Sequence, residues 1–391
     1  MNPIDELRAA RPAHLGDRPV DERTRAVELA RAMSGPRGSR GPRGPRKARK
    51  VAVRPAWGLG LAGAAAAVAA VAVVMSGNGA VPTTPRTPGT GGQVAASATP
   101  TPARVRLSAR DVLLAAAAKA DRQVEGSGDY WHSVTVSRQL LTVKDGGYRV
   151  LDQSRSEGWT PSAVGGEQWF RSRSLGAKPA TEEDRKAWEQ AGSPAEVDVV
   201  VPGKPKAMSL STSEGRVRTD RSPLVDGDKV FWLGRNVTMK DLRGLPSEPG
   251  KLKKRLMASY EGHGTESSSE KMSGDAWLFK VSVGLIMDMP VTPEVRGAAF
   301  RMLAELGNVE VAENVTDSEG RPGTAVSVEE STQGGGVSAT RLIFDEATGQ
   351  PLANEGVVVK PGGMQAGFEP GTVWHSSVLL ESGWTDAKPA S

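Results

Sequence analysis

The chain has 391 residues and no cysteine, which excludes disulfides, thiolate nucleophiles, cysteine-type zinc sites and iron–sulfur clusters. Glycine (46) and proline (27) are abundant and aromatics make up 5%, so part of the chain reads as linker rather than packed core. The net charge of +5 is lopsided, with 14 Lys/Arg against 6 Asp/Glu in residues 1–55 and 36 against 39 in the rest, which argues against a nucleic-acid-binding folded face.

Residues 1–55 read as a basic cytoplasmic tail. Asn2-Pro3 followed by Asp5 and Glu6 has the pattern of an N-cap, a proline at the first helical position and acids near the positive end of the dipole. A second short helix is expected from Asp21 to Arg31, beyond the breaks at Pro12 and Pro19. A piece this small cannot bury a core alone, so it is either disordered or folds on a partner. The Gly-Pro-Arg triplets at 35–46 are too few for a collagen helix and read as a flexible basic spacer against anionic lipid.

Residues 56–75 carry no charge, and a helix of that length spans the core of a bilayer. Ala56, Trp57, Leu59, Leu61, Val68, Val71, Val73, Val74 and Met75 supply its apolar and interfacial surface. So much alanine and glycine makes the segment only modestly hydrophobic, and the flanks strengthen the reading. Arg43, Arg46, Lys47, Arg49, Lys50 and Arg54 precede it, whereas the far side offers only Arg86 before Arg104. The positive-inside rule then predicts a signal-anchor in the cell membrane, with the N-terminus cytoplasmic and a large extracytoplasmic C-terminal portion. A cleaved signal peptide would need a short n-region and a clear Ala-x-Ala site. Gly60/Ala64 and Gly63/Ala67 match a small-xxx-small dimerisation face, a spacing that an alanine-rich segment also produces by chance.

Residues 76–107, rich in Pro, Thr and Gly, read as an extended linker. The domain expected over 108–391 opens with Ser108 as an N-cap and a helix over 109–122 that turns Val112, Leu113 and Ala116 to one side. Strands are predicted at 130–143, 148–160 and 167–177, joined by glycine turns that imply an antiparallel meander. A short helix over 181–190 starts at a capping-box pattern, Thr181 with Asp184. Helices follow at 248–259, 275–289 and 292–306, the last with Thr292 as cap and Pro293 at N1. Five strands come next, at 309–313, 324–330, 339–344, 352–359 and 373–380, with turns at 317–323 and 345–349. The order predicts an α+β fold, a curved antiparallel sheet with helices on one face, preceded by the transmembrane helix and disordered segments.

Several phrases carry a family likeness: Met-Asn-Pro-Ile-Asp-Glu-Leu-Arg at the start, Tyr130-Trp131, Trp188-Glu-Gln-Ala-Gly-Ser-Pro194, Leu245-Pro-Ser-Glu-Pro249, Thr316-Asp-Ser-Glu-Gly-Arg-Pro-Gly323, Leu342-Ile-Phe-Asp-Glu-Ala-Thr-Gly349 and Glu381-Ser-Gly-Trp-Thr-Asp386. With the Arg-rich run into an Ala/Val helix, the chain resembles an actinobacterial family of single-pass membrane proteins often encoded beside extracytoplasmic-function sigma factors. The resemblance covers nearly the whole chain and rests on turns and caps rather than on chemistry. It implies an outer domain similar to the half-barrels of lipoprotein carriers and sigma-regulator sensors.

No His-Glu-x-x-His, Gly-x-Ser-x-Gly or Gly-x-x-x-x-Gly-Lys-Ser/Thr motif is present, and neither a catalytic activity, a cofactor nor a metal is expected. His132 and His375 each follow a tryptophan in a predicted strand and are a candidate pair, or two ordinary strand residues. Glu182/Glu183 and Glu329/Glu330 read as exposed acids, and the Asn236 and Asn314 sequons have no role in a bacterial protein. Trp131, Trp159, Trp169, Trp232, Trp277 and Trp374 are either core residues or the lining of an apolar ligand pocket. The expected function is a membrane-anchored sensor or regulator with anti-sigma-like signalling, its tail holding a sigma factor. The alternative is an extracytoplasmic carrier-like module for lipid or another hydrophobic ligand.

Overall fold

The computed structural model describes residues 108–389, apart from 202–205, 225, 234, 266–270 and 333. The tail 1–55, the apolar segment 56–75 and the linker 76–107 lie outside the described residues. Among those described, no helix is long and apolar enough to cross a membrane.

The domain is α+β, built on a large antiparallel sheet. In chain order its elements are α1 (Ala109–Ala120), β1 (Tyr130–Val143), β2 (Arg149–Pro161), β3 (Glu167–Pro179), α2 (Glu182–Gln190), β4 (Glu196–Val200), β5 (Met208–Ser211) and β6 (Arg218–Pro223). There follow β7 (Lys229–Trp232), β8 (Arg235–Thr238), α3 (Met239–Arg243), α4 (Pro249–Met257), α5 (Gly274–Met287) and α6 (Pro293–Leu303). The last five strands are β9 (Glu310–Thr316), β10 (Pro322–Ser331), β11 (Val337–Phe344), β12 (Pro351–Lys360) and β13 (Val373–Thr385). The strand order is β6-β3-β2-β1-β13-β12-β11-β10-β9, with the β4–β5 hairpin branching from β1 and a separate β7–β8 hairpin.

Local chemistry explains most of these elements. Asp145 (φ 59°) and Gly147 (φ 66°) supply the left-handed turn between β1 and β2, and Gly165 (φ 80°) serves the β2–β3 turn. In the β9–β10 turn, Asp317 Oδ1 accepts the backbone N–H groups of Glu319 and Arg321, both at 2.9 Å. Ser108 and Asp111 form a reciprocal capping box on α1. Thr181 caps α2 with only half of that motif. The Asp184 carboxylate accepts the Thr181 hydroxyl and, instead of the cap's own N–H, the backbone N–H of Arg149 on β2 at 2.8 Å.

The main core packs α1, α4, α5 and α6 against Val326, Val328, Leu342, Phe344 and Leu379 of β10, β11 and β13. Every residue of α5 from Ala276 to Met287 is buried, Lys280 paired with Glu330 of β10, so this helix is enclosed on all sides. Ala325, Ile343 and Val378 lie on the other side of the same strands and belong to a separate cluster with Leu352 and Ala353. A further cluster joins Leu141, Val143 and Val150 to Val197 and Val199 of β4 and to Trp188 of α2.

The structure extends the sequence reading in two places. Strands β4 to β8 and helix α3 were not expected, because each is only four to six residues long. β6, Arg-Thr-Asp-Arg-Ser-Pro, has no apolar alternation at all. β13 runs to Thr385 rather than to 380, with a register shift that pairs Val134 with Glu381 and Thr135 with Leu379. Leu380 therefore falls in a bulge and is exposed.

Candidate ligand-binding face

Strands β1, β2, β3 and β13 share one stretch whose side chains are small and hydroxylic. Register places Thr135 beside Ser156 and Leu379, and Ser137 beside Ser154 and Ser377. Across the next ladder Ser156 is paired with Ser172, and Ser154 with Ser174. Because directly paired residues share a face, these side chains line one surface. Leu379, in the helical core, identifies it as the side on which the helices lie. A Cβ at Gly158 would meet Ser133 Oγ at 3.6 Å and nothing else within 4 Å, so this surface is open at its centre. Ser133, Thr135, Ser137, Ser154, Ser156 and Ser172 are each partly exposed.

The two ends of the stretch are closed differently. At one end Trp131 is buried, and its indole N–H donates to the backbone carbonyl of Asp288 at 3.1 Å. Trp384 meets Trp131 edge-on at 5.5 Å and carries the Arg243 guanidinium at 5.1 Å on its ring. At the other end Gln139 pairs with Asp152, just before Leu141 and Val150 enter the cluster under the β4–β5 hairpin. Gln139 is 4% exposed and its side-chain Oε1 has no hydrogen-bond partner. The same holds for Oδ1 of Asn354, which pairs with Ser377. Burial pushes the Asp152 carboxyl above its ordinary range, against the pull of the Gln153 backbone N–H. Such an orphaned acceptor costs about 1–3 kcal/mol when nothing donates to it.

The opposite face carries charge. Arg138 pairs with Glu319, Arg341 with Glu355 and Arg321 with Asp317, while the Ser318 hydroxyl lies 2.8 Å from that of Ser376. Of these, Arg138–Glu319 and the Ser318–Ser376 contact seat the β9–β10 turn on the sheet, whereas Arg341–Glu355 joins β11 to β12. Burial pushes the Glu355 carboxyl up, Arg341 pulls it back down, and Asp317 adds to the rise. Farther along, Arg171 lies over Trp159 at 5.4 Å and Arg221 over Trp169 at 5.7 Å.

The six tryptophans do not line a common pocket. Trp131, Trp232 and Trp277 belong to the helical core, the last with its ring 5.5 Å from Tyr260. Trp159 and Trp169 lie on the charged face, and Trp374 packs with Leu140, Leu151 and Phe368 in another cluster. Nor do the two histidines meet. His132 stacks on Trp159 at 4.6 Å, whereas His375 pairs with Gln139, seven residues and about 23 Å farther along β1. Glu330 is not an exposed acid: it is mostly buried and pairs with Lys280 of α5. Among the described residues no group of three or more His, Asp and Glu side chains could hold a metal ion.

The hydroxylic face itself escaped the sequence reading. Its signal is the alternation of Ser and Thr through β1 and β2, which reads simply as the outward side of a half-buried strand. Compared with family models, with curated proteins and with solved structures, the chain matches none.

Proposed function

We propose that this chain is a membrane-anchored extracytoplasmic sensor, with the open hydroxylic face of β1–β3 and β13 as its ligand seat. The observation that carries this reading is a partly exposed row of Ser and Thr side chains next to acceptor oxygens left without donors. The helix over 56–75 would hold the domain outside the membrane, the curved sheet would carry its helices on the seat's side, and residues 1–34 would pass occupancy to a cytoplasmic sigma factor. The protein acts by binding, not by catalysis. The hydroxyl lining favours a polar ligand over the lipid that a carrier would need.

The test is in cells. Full-length protein, crosslinked and purified from its native membrane, is expected to bring down a sigma factor, and deletion of residues 2–34 is expected to abolish that. Sigma factor absent from the full-length sample would overturn the signalling arm.

A further inference from the structure

We infer that the ligand of this face is a neutral, hydroxyl-rich saccharide; the inference rests on the face being a ligand seat. Three features of the surface select that chemistry. Most charge lies across the sheet: Arg155, Arg171 and Arg173 of β2 and β3 alternate with the serines and therefore lie on the opposite side, while at the seat's edge Arg218, paired with Ser172, stands two residues from Asp220, paired with Phe170, so the seat offers no cationic row to an anion. The carboxyl of Asp152 at its closed end further disfavours phosphate or carboxylate ligands. The lining is also too polar for an acyl chain, which would strand the hydroxyls of Ser137, Ser154 and Ser156 without water.

What the seat does present is a row of hydroxyls next to two acceptor oxygens without a partner. Gln139 Oε1 and Asn354 Oδ1 are buried acceptors that lack a donor, and the serine hydroxyls can donate or accept as the ligand requires. A saccharide matches this on both counts, because each ring hydroxyl brings a donor and its C–H face can lie against an apolar wall. Phe170, which pairs with Gly158, and Trp384 supply such a wall at the opposite end from Gln139. Small side chains across three strands let a flat ring approach the sheet closely, as the space above Gly158 shows.

Titration calorimetry on the full chain in detergent tests this. The probes are a panel of neutral oligosaccharides (α- and β-linked glucans, a mannan, an arabinogalactan and N-acetylglucosamine oligomers), set beside phosphatidylglycerol vesicles and a Gly-Ser peptide. At least one saccharide is expected to bind, with Ser156→Leu and Ser172→Leu each weakening it tenfold or more. Gln139→Leu should weaken it about tenfold, the loss expected for one hydrogen bond to a buried acceptor. Arg173→Ala, on the opposite face, should leave it unchanged. Unchanged unfolding midpoints identify the variants that have kept their fold, and Ser172→Leu, near the sheet edge, is the milder of the two leucine variants. Vesicle or peptide binding that the leucine variants abolish, without saccharide binding, would keep the seat and overturn the saccharide. Binding by no probe, or binding indifferent to the leucine variants, would overturn both.

Discussion

Asp288 follows the last residue of α5, where its charge would face the negative end of the helix dipole. Part of the residue reaches solvent, yet dehydration pushes its carboxyl up to about 7 from an ordinary 3.8. The folded state therefore holds a proton that the unfolded chain releases near pH 4. The stability this contributes is complete below that pH and is lost as pH rises toward about 7. Asp288→Asn is expected to raise the unfolding midpoint at pH 8 and to leave it nearly unchanged at pH 4. Two thermal melts per variant check this, and an equal gain at both values would refute it. The position was not singled out in the sequence. Within the helix expected over 275–289 this carboxylate gives no sign of its burial until Trp131 is seen donating to the Asp288 backbone carbonyl.

Caps and turns were legible at the element scale because their chemistry is local. Ser108 with Asp111, Thr292 with Pro293, and the Asp317 and Asp345 turns all satisfy backbone groups within five residues. Asp184 shows where that locality fails, since the second half of its expected capping box goes to the Arg149 N–H on another strand. Thr181→Ala should cost about 1 kcal/mol, the usual value of a lost cap. Asp184→Ala should cost more, about 2 kcal/mol, because the Arg149 donor on β2 is also left unmet. Urea denaturation of the two variants ranks them, and the reverse order would refute the shared role. Gly176 makes a similar link. At φ 81° any added Cβ would also lie 2.5 Å from the Thr212 carbonyl, so Gly176→Ala is expected to destabilise by at least 1 kcal/mol in the same assay.

Over the whole molecule, the first and last strands of the described domain pair with one another, Tyr130 to Thr385 and Gln139 to His375. That pairing brings the serines of β1 beside those of β13 and creates the hydroxylic face. Behind it Arg138 paired with Glu319, and Arg321 donating to the Leu352 carbonyl, lock the β9–β10 turn onto the sheet, while Arg341 and Glu355 join β11 to β12. Arg341→Met leaves the Glu355 carboxylate, 3% exposed, without its main partner, and should cost about 3–5 kcal/mol by chemical denaturation. A loss under 1 kcal/mol would show that the Glu355 carboxyl is held by other contacts. Replacing Val68, Val71 and Val74 by aspartate is expected to move the full-length chain from the membrane to the soluble fraction on ultracentrifugation, and retention in the membrane would refute the anchor. The sequence by itself determined the α+β class, the antiparallel meander of β1–β3 and most helix starts. Those follow from alternation, glycine turns and caps that act over a few residues. Only the tertiary structure decided that β1 meets β13, that the tryptophans divide among separate clusters, and that the serines converge. Pairing between distant strands is chosen by side-chain packing across the sheet, which no local stretch of sequence encodes.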